Sequence, residues 1–366
     1  MKRSLLFIFI FVIGSCLMAQ SLDQTIQNLT GDAAKSYVDP MVSVFGANMN
    51  GAWFHQAPKA KLLDWDLEIS LVVMASAFNN NEETFNVDGR FMFTREQARS
   101  LTTDYETQLP PAQYDALLDA ITSQYFTVNI YGPTITGKQY DSNDLDNTAI
   151  HIGFPQTEVH YSVGSSDQVA QVNAMPIVLP VGGLLYDYPA LPFVAPQITI
   201  GTLAGTKLSL RYLPDTQLSE EIGTLQYFGI GIQHNPAFWI PIPIPVDFSL
   251  SFFTQSLHVG DYATASATSY GLNVSKTFGP RLMSITPYAG ISYETSNMEF
   301  KYTYLVDNSI TSAPITSNIK FDVDGGNEAR TTIGLSFRAA LLNFNIDYNM
   351  AKYSSLTTGI GINFSW

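Results

Sequence analysis

The side chains best suited to proton transfer near neutral pH are the five histidines, His55, His151, His160, His234 and His258, and their neighbours decide what any of them could do. None stands in a Gly-x-Ser-x-Gly elbow or a His-Glu-x-x-His pair, and no phospholipase-type Ser-Asn-Gly motif occurs. Hydrolysis or acyl transfer needs a base beside an activated nucleophile or water, so the sequence points away from an enzyme. His234 and Asn235 are adjacent, but Pro236 follows them and the group reads as a turn. Two acidic stretches, DSNDLDN at 141–147 and DVDGGNE at 322–328, are rich in oxygen ligands. Neither has the spacing of a calcium loop, and both read as solvated loop tips. No metal and no cofactor is expected. What remains is a set of polar residues in regular phase: Lys207, Ser209, Arg211, Asp247, Gln255, Arg338, Asn343, Asn345, Asp347 and Asn363.

That phase belongs to strands. From Leu342 the even positions read Leu342, Phe344, Ile346, Tyr348 and Met350, with Asn343, Asn345, Asp347 and Asn349 between them. After KYSS the pattern resumes, with Leu356, Ile360, Ile362, Phe364 and Trp366 alternating with Thr357, Gly359, Gly361, Asn363 and Ser365. Side chains of a strand point alternately to opposite faces, so each run has one apolar and one polar surface. In a soluble sandwich the apolar face turns inward; in a membrane barrel it meets lipid and the polar face lines the lumen.

The N-terminus and the composition choose between them. MKRSLLFIFIFVIGSCLMAQ places Lys2 and Arg3 before an apolar run from Leu5 to Ile13, followed by small residues before Gln20. This is the form of a secretory signal cleaved after Ala19, too short to span a bilayer. The only cysteine, Cys16, lies inside it, either as an ordinary member of the signal or as the lipidated residue of a lipoprotein box. Charged residues are 14% of the chain, against about a quarter in soluble domains, while aromatics reach 13%. A barrel needs no charge on its lipid face and gathers aromatics at both interfaces. The net charge of −14 becomes −16 once Lys2 and Arg3 leave with the signal, the wrong sign for nucleic-acid binding.

The expected fold is therefore all-β, a transmembrane antiparallel barrel of about fourteen strands. Nine are counted from Phe193 to Trp366 and five more between Asp64 and Pro180, of which DWDLEISLVVMASAF at 64–78 is the clearest. LAGT at 203–206, FGP at 278–280 and Ala340-Leu341 mark tight turns that alternate with long polar loops, the asymmetry of short periplasmic turns and longer outside loops. FWIPIPIPVDF at 238–248 carries three alternate prolines, an extended segment for the membrane interface or for a periplasmic partner. Two parts are not strand-like. Residues 20–60 carry Leu22, Ile26 and Leu29 at helical spacing and then Trp53, Phe54 and His55, a segment placed to plug the lumen. At 94–124, Tyr114, Leu117, Leu118 and Ile121 form one helical stripe after Pro110-Pro111. The expected domains are a signal at 1–19, a hatch-like segment at 20–60 and a barrel at 61–366 with a helical insertion at about 94–124.

SYVDPMVSVFGANMNGAWFHQA, QITIGTLAGTKLSLRYLP, GIGIQHNPAFWIPIPIPVDFSLS and the aromatic terminus together resemble an uncharacterised family of outer-membrane barrels from Bacteroidota. More distantly, the hatch and the strand count look like the fatty-acid and hydrocarbon transporter barrels. That family has Asn-Pro-Ala in its hatch, whereas here Asn235-Pro236-Ala237 sits between two strands. The resulting expectation is an outer-membrane channel or transporter for small amphipathic or hydrophobic molecules. The alternative is a non-transporting barrel that acts as scaffold or partner in a surface or secretion assembly. Expected partners are outer-membrane lipids, the barrel-assembly machinery through the strand ending in Trp366, and a small amphipathic ligand.

Overall fold

A computed structural model describes residues 31–91, 93–164, 166–172, 174–219, 223–240, 245–280, 282–306 and 315–365. The signal, Cys16, Leu22, Ile26, Leu29, the centre of the alternate-proline segment and Trp366 lie outside the described residues. The chain opens with helix α1 (Gly31–Met49), then strand β1 (Leu63–Ala77). Next come β2 (Thr84–Phe91), α2 (Arg95–Leu101), α3 (Thr103–Glu106), α4 (Pro111–Thr122), β3 (Phe126–Pro133), α5 (Leu145–Thr148), β4 (Ile150–Phe154), β5 (Thr157–Val163), β6 (Ser166–Val172) and β7 (Met175–Leu179). The remainder is strand: β8 (Ala190–Leu203), β9 (Thr206–Ser219), β10 (Gly223–His234), β11 (Asp247–Val259), β12 (Ala263–Ser275), β13 (Met283–Val306), β14 (Ile315–Asp324), β15 (Ala329–Ala339), β16 (Leu342–Met350) and β17 (Ser355–Ser365).

Among the described residues two compact units result, one within 39–79 and 188–365 and one within 31–38 and 80–187. In the first, antiparallel neighbours follow the order β12, β11, β10, β9, β8, β1, β17, β16, β15, β13, and β13 pairs back onto β12. This is a closed ten-strand barrel. The expected count of fourteen is corrected: of the five strands sought between Asp64 and Pro180 only β1 enters the wall, and β14 pairs solely with the far half of β13. Alternation finds strands, but it carries no signal for which sheet a strand joins. Closure is sealed by β1 on β17, from Asp66 opposite Ser365 to Ser76 opposite Ser355. Two-residue turns join β8 to β9 at Ala204-Gly205 and β15 to β16 at Ala340-Leu341, with positive φ at Ala204, Gly205 and Ala340.

The facing follows the pleat. Ile69, Ile200, Leu208, Ile230, Phe252, Leu272, Ile291, Leu335, Ile346 and Ile360, one per strand around the ring, are exposed outward, at 45% or more. Polar residues of the alternate phase, Glu68, Ser70, Ser251, Asn273, Asn345 and Thr357, are buried. The inward face is not uniformly polar, since Val72, Met74, Phe193, Tyr227, Phe253 and Leu257 are also buried there.

The second unit has a four-stranded antiparallel sheet, β2-β3-β4-β7, and a separate β5–β6 hairpin. The sequence reading carried the wall through this region; it is instead an insertion with its own core. Helix α4 starts with Pro111 at its first position and buries Tyr114, Leu117, Leu118 and Ile121, packing on β5. Phe93, Phe126 and Phe154 form an aromatic triangle with centroids 5.0–5.4 Å apart. The acidic stretch at 141–147 is spent on its own backbone: Asp141 accepts from the Asn143 amide at 2.9 Å, and Thr148 donates to the Asp144 carbonyl at 2.6 Å.

Candidate functional site

The site is built where α1 ends. The last carbonyls of a helix lack partners within it, and here each of the final four has a donor. Asn50 N–H donates to Gly46 O at 3.1 Å and Gly51 N–H to Asn48 O at 2.9 Å. Arg330 on β15 donates to Ala47 O. Met49 O receives the Arg211 Nη1 at 3.2 Å, the Trp53 indole at 3.3 Å and the Gln255 amide. Two guanidinium groups thus meet the negative end of the helix dipole.

Arg211, on β9, is fully buried. Its Nε donates to Gln197 Oε1 at 2.9 Å and its Nη2 to Gly51 O at 2.8 Å, and its Cζ lies 3.9 Å from the Trp53 ring centroid. Among the described residues it makes no ion pair with a carboxylate, so the helix end and the indole face supply its counter-charge. Tyr227 closes the group by donating to Gln255 Oε1. Arg330 is held differently, by an ion pair with Glu294 at 3.0 Å.

Trp53 stacks on Phe253 with centroids 5.0 Å apart and planes 15° from parallel. Gly229 and Gly231 make its seat, since a Cβ at either would stand 2.9 or 3.2 Å from the indole. Phe54 meets Tyr288 edge-on at 5.7 Å. His55 Nε2 lies 2.9 Å from Glu68 Oε1, and Glu68 also accepts from Asn363 at 3.1 Å and Asn343 at 3.4 Å. Ala57 N–H donates to Ser275 Oγ at 3.0 Å, and the Asn235 amide donates to Pro58 O at 2.8 Å. Partners of residues 47–58 therefore come from β1, β8, β9, β11, β12, β13, β15 and β16 and from the turn after β10. A segment bonded to the inward face on so many sides of a closed ring occupies its interior.

The polar-phase residues sort into separate groups. Arg211 and Gln255 join the helix end as above. Asn343 and Asn363 join Glu68, beside the Lys207 to Asp66 ion pair at 3.0 Å and Arg338, which donates to Ser365 Oγ at 2.8 Å. Asp347 accepts from Tyr288 at 2.8 Å and from Asn349 at 2.7 Å. Asn345 is buried, Ser209 lies 3.0 Å from Thr199 Oγ1, and Asp247 begins β11 half-buried. A polar cavity of about 160 Å³ remains, lined by His55, Lys59, Asp66, Glu68, Lys207 and Arg338 among others. Within it His55 pairs with Glu68, Lys59 with Asp64 at 3.0 Å and Lys207 with Asp66, while Arg338 also donates to Ala340 O at 3.2 Å.

Sequence reasoning missed Gln197, Tyr227, Tyr288, Glu294 and Arg330. The two tyrosines are aromatic, and phase alone would have put them inside. Arg330 stands two residues before Thr332 in the polar phase of β15, a signal that was available; Glu294 stands in the inward phase of β13, six residues after Tyr288.

The chain belongs to a family of unknown function, DUF6588, whose model matches residues 1–364. A search of the curated proteins found no match. Among solved structures, the chain is similar to the transport unit of the autotransporter AIDA-I from Escherichia coli, at 9% identity over 89% of this chain and 99% of that one, with a TM-score of 0.25. A loop-deletion mutant of OmpT, an outer membrane protein of Vibrio cholerae, is 9% identical over 83% and 98%, with a TM-score of 0.23. The N-terminal β-barrel domain of Pseudomonas aeruginosa OprF is 14% identical over 43% and 94%, at 0.19. Scores this low add nothing to the barrel described above.

Proposed function

We propose that the protein is an integral outer-membrane barrel, closed by residues 39–60 of its own chain, that anchors the inserted unit as a scaffold. The observation that carries this reading is Arg211: one buried guanidinium ties two strands' worth of wall to the helix end and to Trp53. The outward belt of Ile, Leu and Phe supports placement in lipid, because a soluble barrel would leave that whole surface against water. The closed backbone ring leaves no open edge in the wall, as the hydrocarbon layer requires.

The other reading is a channel for small amphipathic or hydrophobic molecules. Its distant likeness to fatty-acid transporters leaned on fourteen strands, and the wall has ten. The cavity is polar and ion-paired, a poor host for an apolar solute. Passage would need residues 47–58 to leave the interior and strand several buried polar groups.

Planar-bilayer recording decides between the two. The intact protein is expected to carry no steady current, and a refolded chain lacking residues 20–60 to conduct. Steady current through the intact protein would favour the channel, and a closed, correctly folded truncation would remove the plug role.

A further inference from the structure

The contacts of residues 43–62 fall in order along the barrel. Ser43 Oγ accepts from Gly326 N–H at 2.9 Å, just past β14 and before β15. Val44 and Ala47 pack with Tyr353, in the turn between β16 and β17. Asn48 accepts from Ser76 Oγ at 2.8 Å and donates to Leu191 O at 2.6 Å, at the end of β1 and the start of β8. Trp53 lies at mid-height, between Arg211 and Phe253. Pro58 O is held by Asn235, and Lys61 O and Leu62 O receive the N–H groups of Gly205 and Ala204 in the tight β8–β9 turn. The segment enters at the end where β1 stops and β8 begins, with the β13–β14 ribbon, and leaves at the end carrying the two-residue turns.

A second observation agrees. The first part of α1 is folded with the insertion: Tyr37 Oη donates to Gly182 O at 3.0 Å, and Ile135 N–H donates to Tyr37 O at 2.9 Å. The insertion's two chain links to the barrel, after Ala77 and before Ala190, are both at that end of the ladder. In outer-membrane barrels tight turns face the periplasm and the large excursions face outside.

Resting on the outer-membrane reading above, we infer that the chain crosses the membrane first inside its own barrel, so that residues 31–38 lie on the cell surface. The interaction surface this creates is an N-terminal arm that a periplasmic protein never meets.

Single-cysteine variants test the path, in a chain whose only cysteine is Cys16 of the expected signal. Asp32→Cys marks the arm, Lys61→Cys the tight-turn end and Lys320→Cys the ribbon, all at exposed positions. A membrane-impermeant maleimide applied to intact cells is expected to label Asp32→Cys and Lys320→Cys fully. Lys61→Cys should show loss of labelling until the outer membrane is permeabilised. If Asp32→Cys also needs permeabilisation while Lys320→Cys does not, the arm is periplasmic and the inference fails. If all three label alike, or the protein leaves the membrane in carbonate, the outer-membrane reading itself fails. An epitope placed ahead of Gly31 and detected by antibody on intact cells gives the same answer should Asp32→Cys perturb α1.

Discussion

At the level of single residues, Arg211 concentrates the interior's polar bonding. Replacing it with Met keeps most of the buried stem but leaves Gln197 Oε1 and Gly51 O without a donor and Met49 O with fewer. Hydrogen bonds to a charged group contribute about 1.5–3 kcal/mol each, so Arg211→Met should lower stability by on the order of 3 kcal/mol in urea unfolding of the refolded protein. Arg211→Lys should recover little of this, because a single ammonium does not reproduce the fork that serves Nε, Nη1 and Nη2 together. The lipid face gives an independent prediction. Ile346 is exposed outward at the middle of β16, and Ile346→Arg should cost about 2–4 kcal/mol, whereas Ser284→Arg, pointing into the polar cavity, should cost much less. Equal costs in the same unfolding experiment would sink the lipid-out facing.

Between elements, the key contact is α1 against the wall. Gly46 lies so close to β13 that an added Cβ would stand 1.9 Å from Ser296 Oγ and 2.6 Å from its Cβ. Gly46→Ala should therefore destabilise by about 1–3 kcal/mol, the usual cost of overpacking, and Ser296→Gly should restore much of the loss. A simple sum of the two single-variant costs would show that the helix does not rest there. The same contact explains what the sequence could and could not reveal. Alternation in β1, β9, β15, β16 and β17 was legible because the inward and outward faces of one strand differ in polarity. The span of α1 was not: its residues 42–49 are small or apolar on several sides because wall surrounds them, which blurs the stripe that marks a half-exposed helix. Val72, Met74 and Phe253 broke the polar-inside rule for the same reason, since they face protein in the interior. Asn235 read as a turn residue, and its hold on Pro58 needed a partner 177 positions away.

For the molecule as a whole, the wall is complete without the insertion. β1 and β8 pair continuously from Leu67 opposite Ile200 to Ala77 opposite Ala190, and Phe78 N–H still donates to Pro189 O at 3.2 Å beyond the last pair. The two strands are thus neighbours in a hairpin whose tip has been opened to admit residues 80–187, and the ladder's own hydrogen bonds hold the two ends together. Replacing 80–187 with a two-residue Asn-Gly turn should close that hairpin, because the flanking backbone already stands at pairing distance and such a turn has the twist that antiparallel strands require. The shortened chain should enter detergent as a folded barrel and keep the heat-dependent shift in gel mobility that closed barrels show. It should also retain Trp53 in a protected environment, since among the described residues the bonds to 47–58 come from the barrel unit. The part that loses support is the beginning of α1, where Tyr37 bonds Gly182 and Ile135, so proteolysis should trim the arm back toward Asp39 and stop there. A truncated protein that fails to form a heat-modifiable band would mean that the insertion helps to assemble the wall, and cleavage running on through Trp53 would mean that the interior segment is held from outside the barrel.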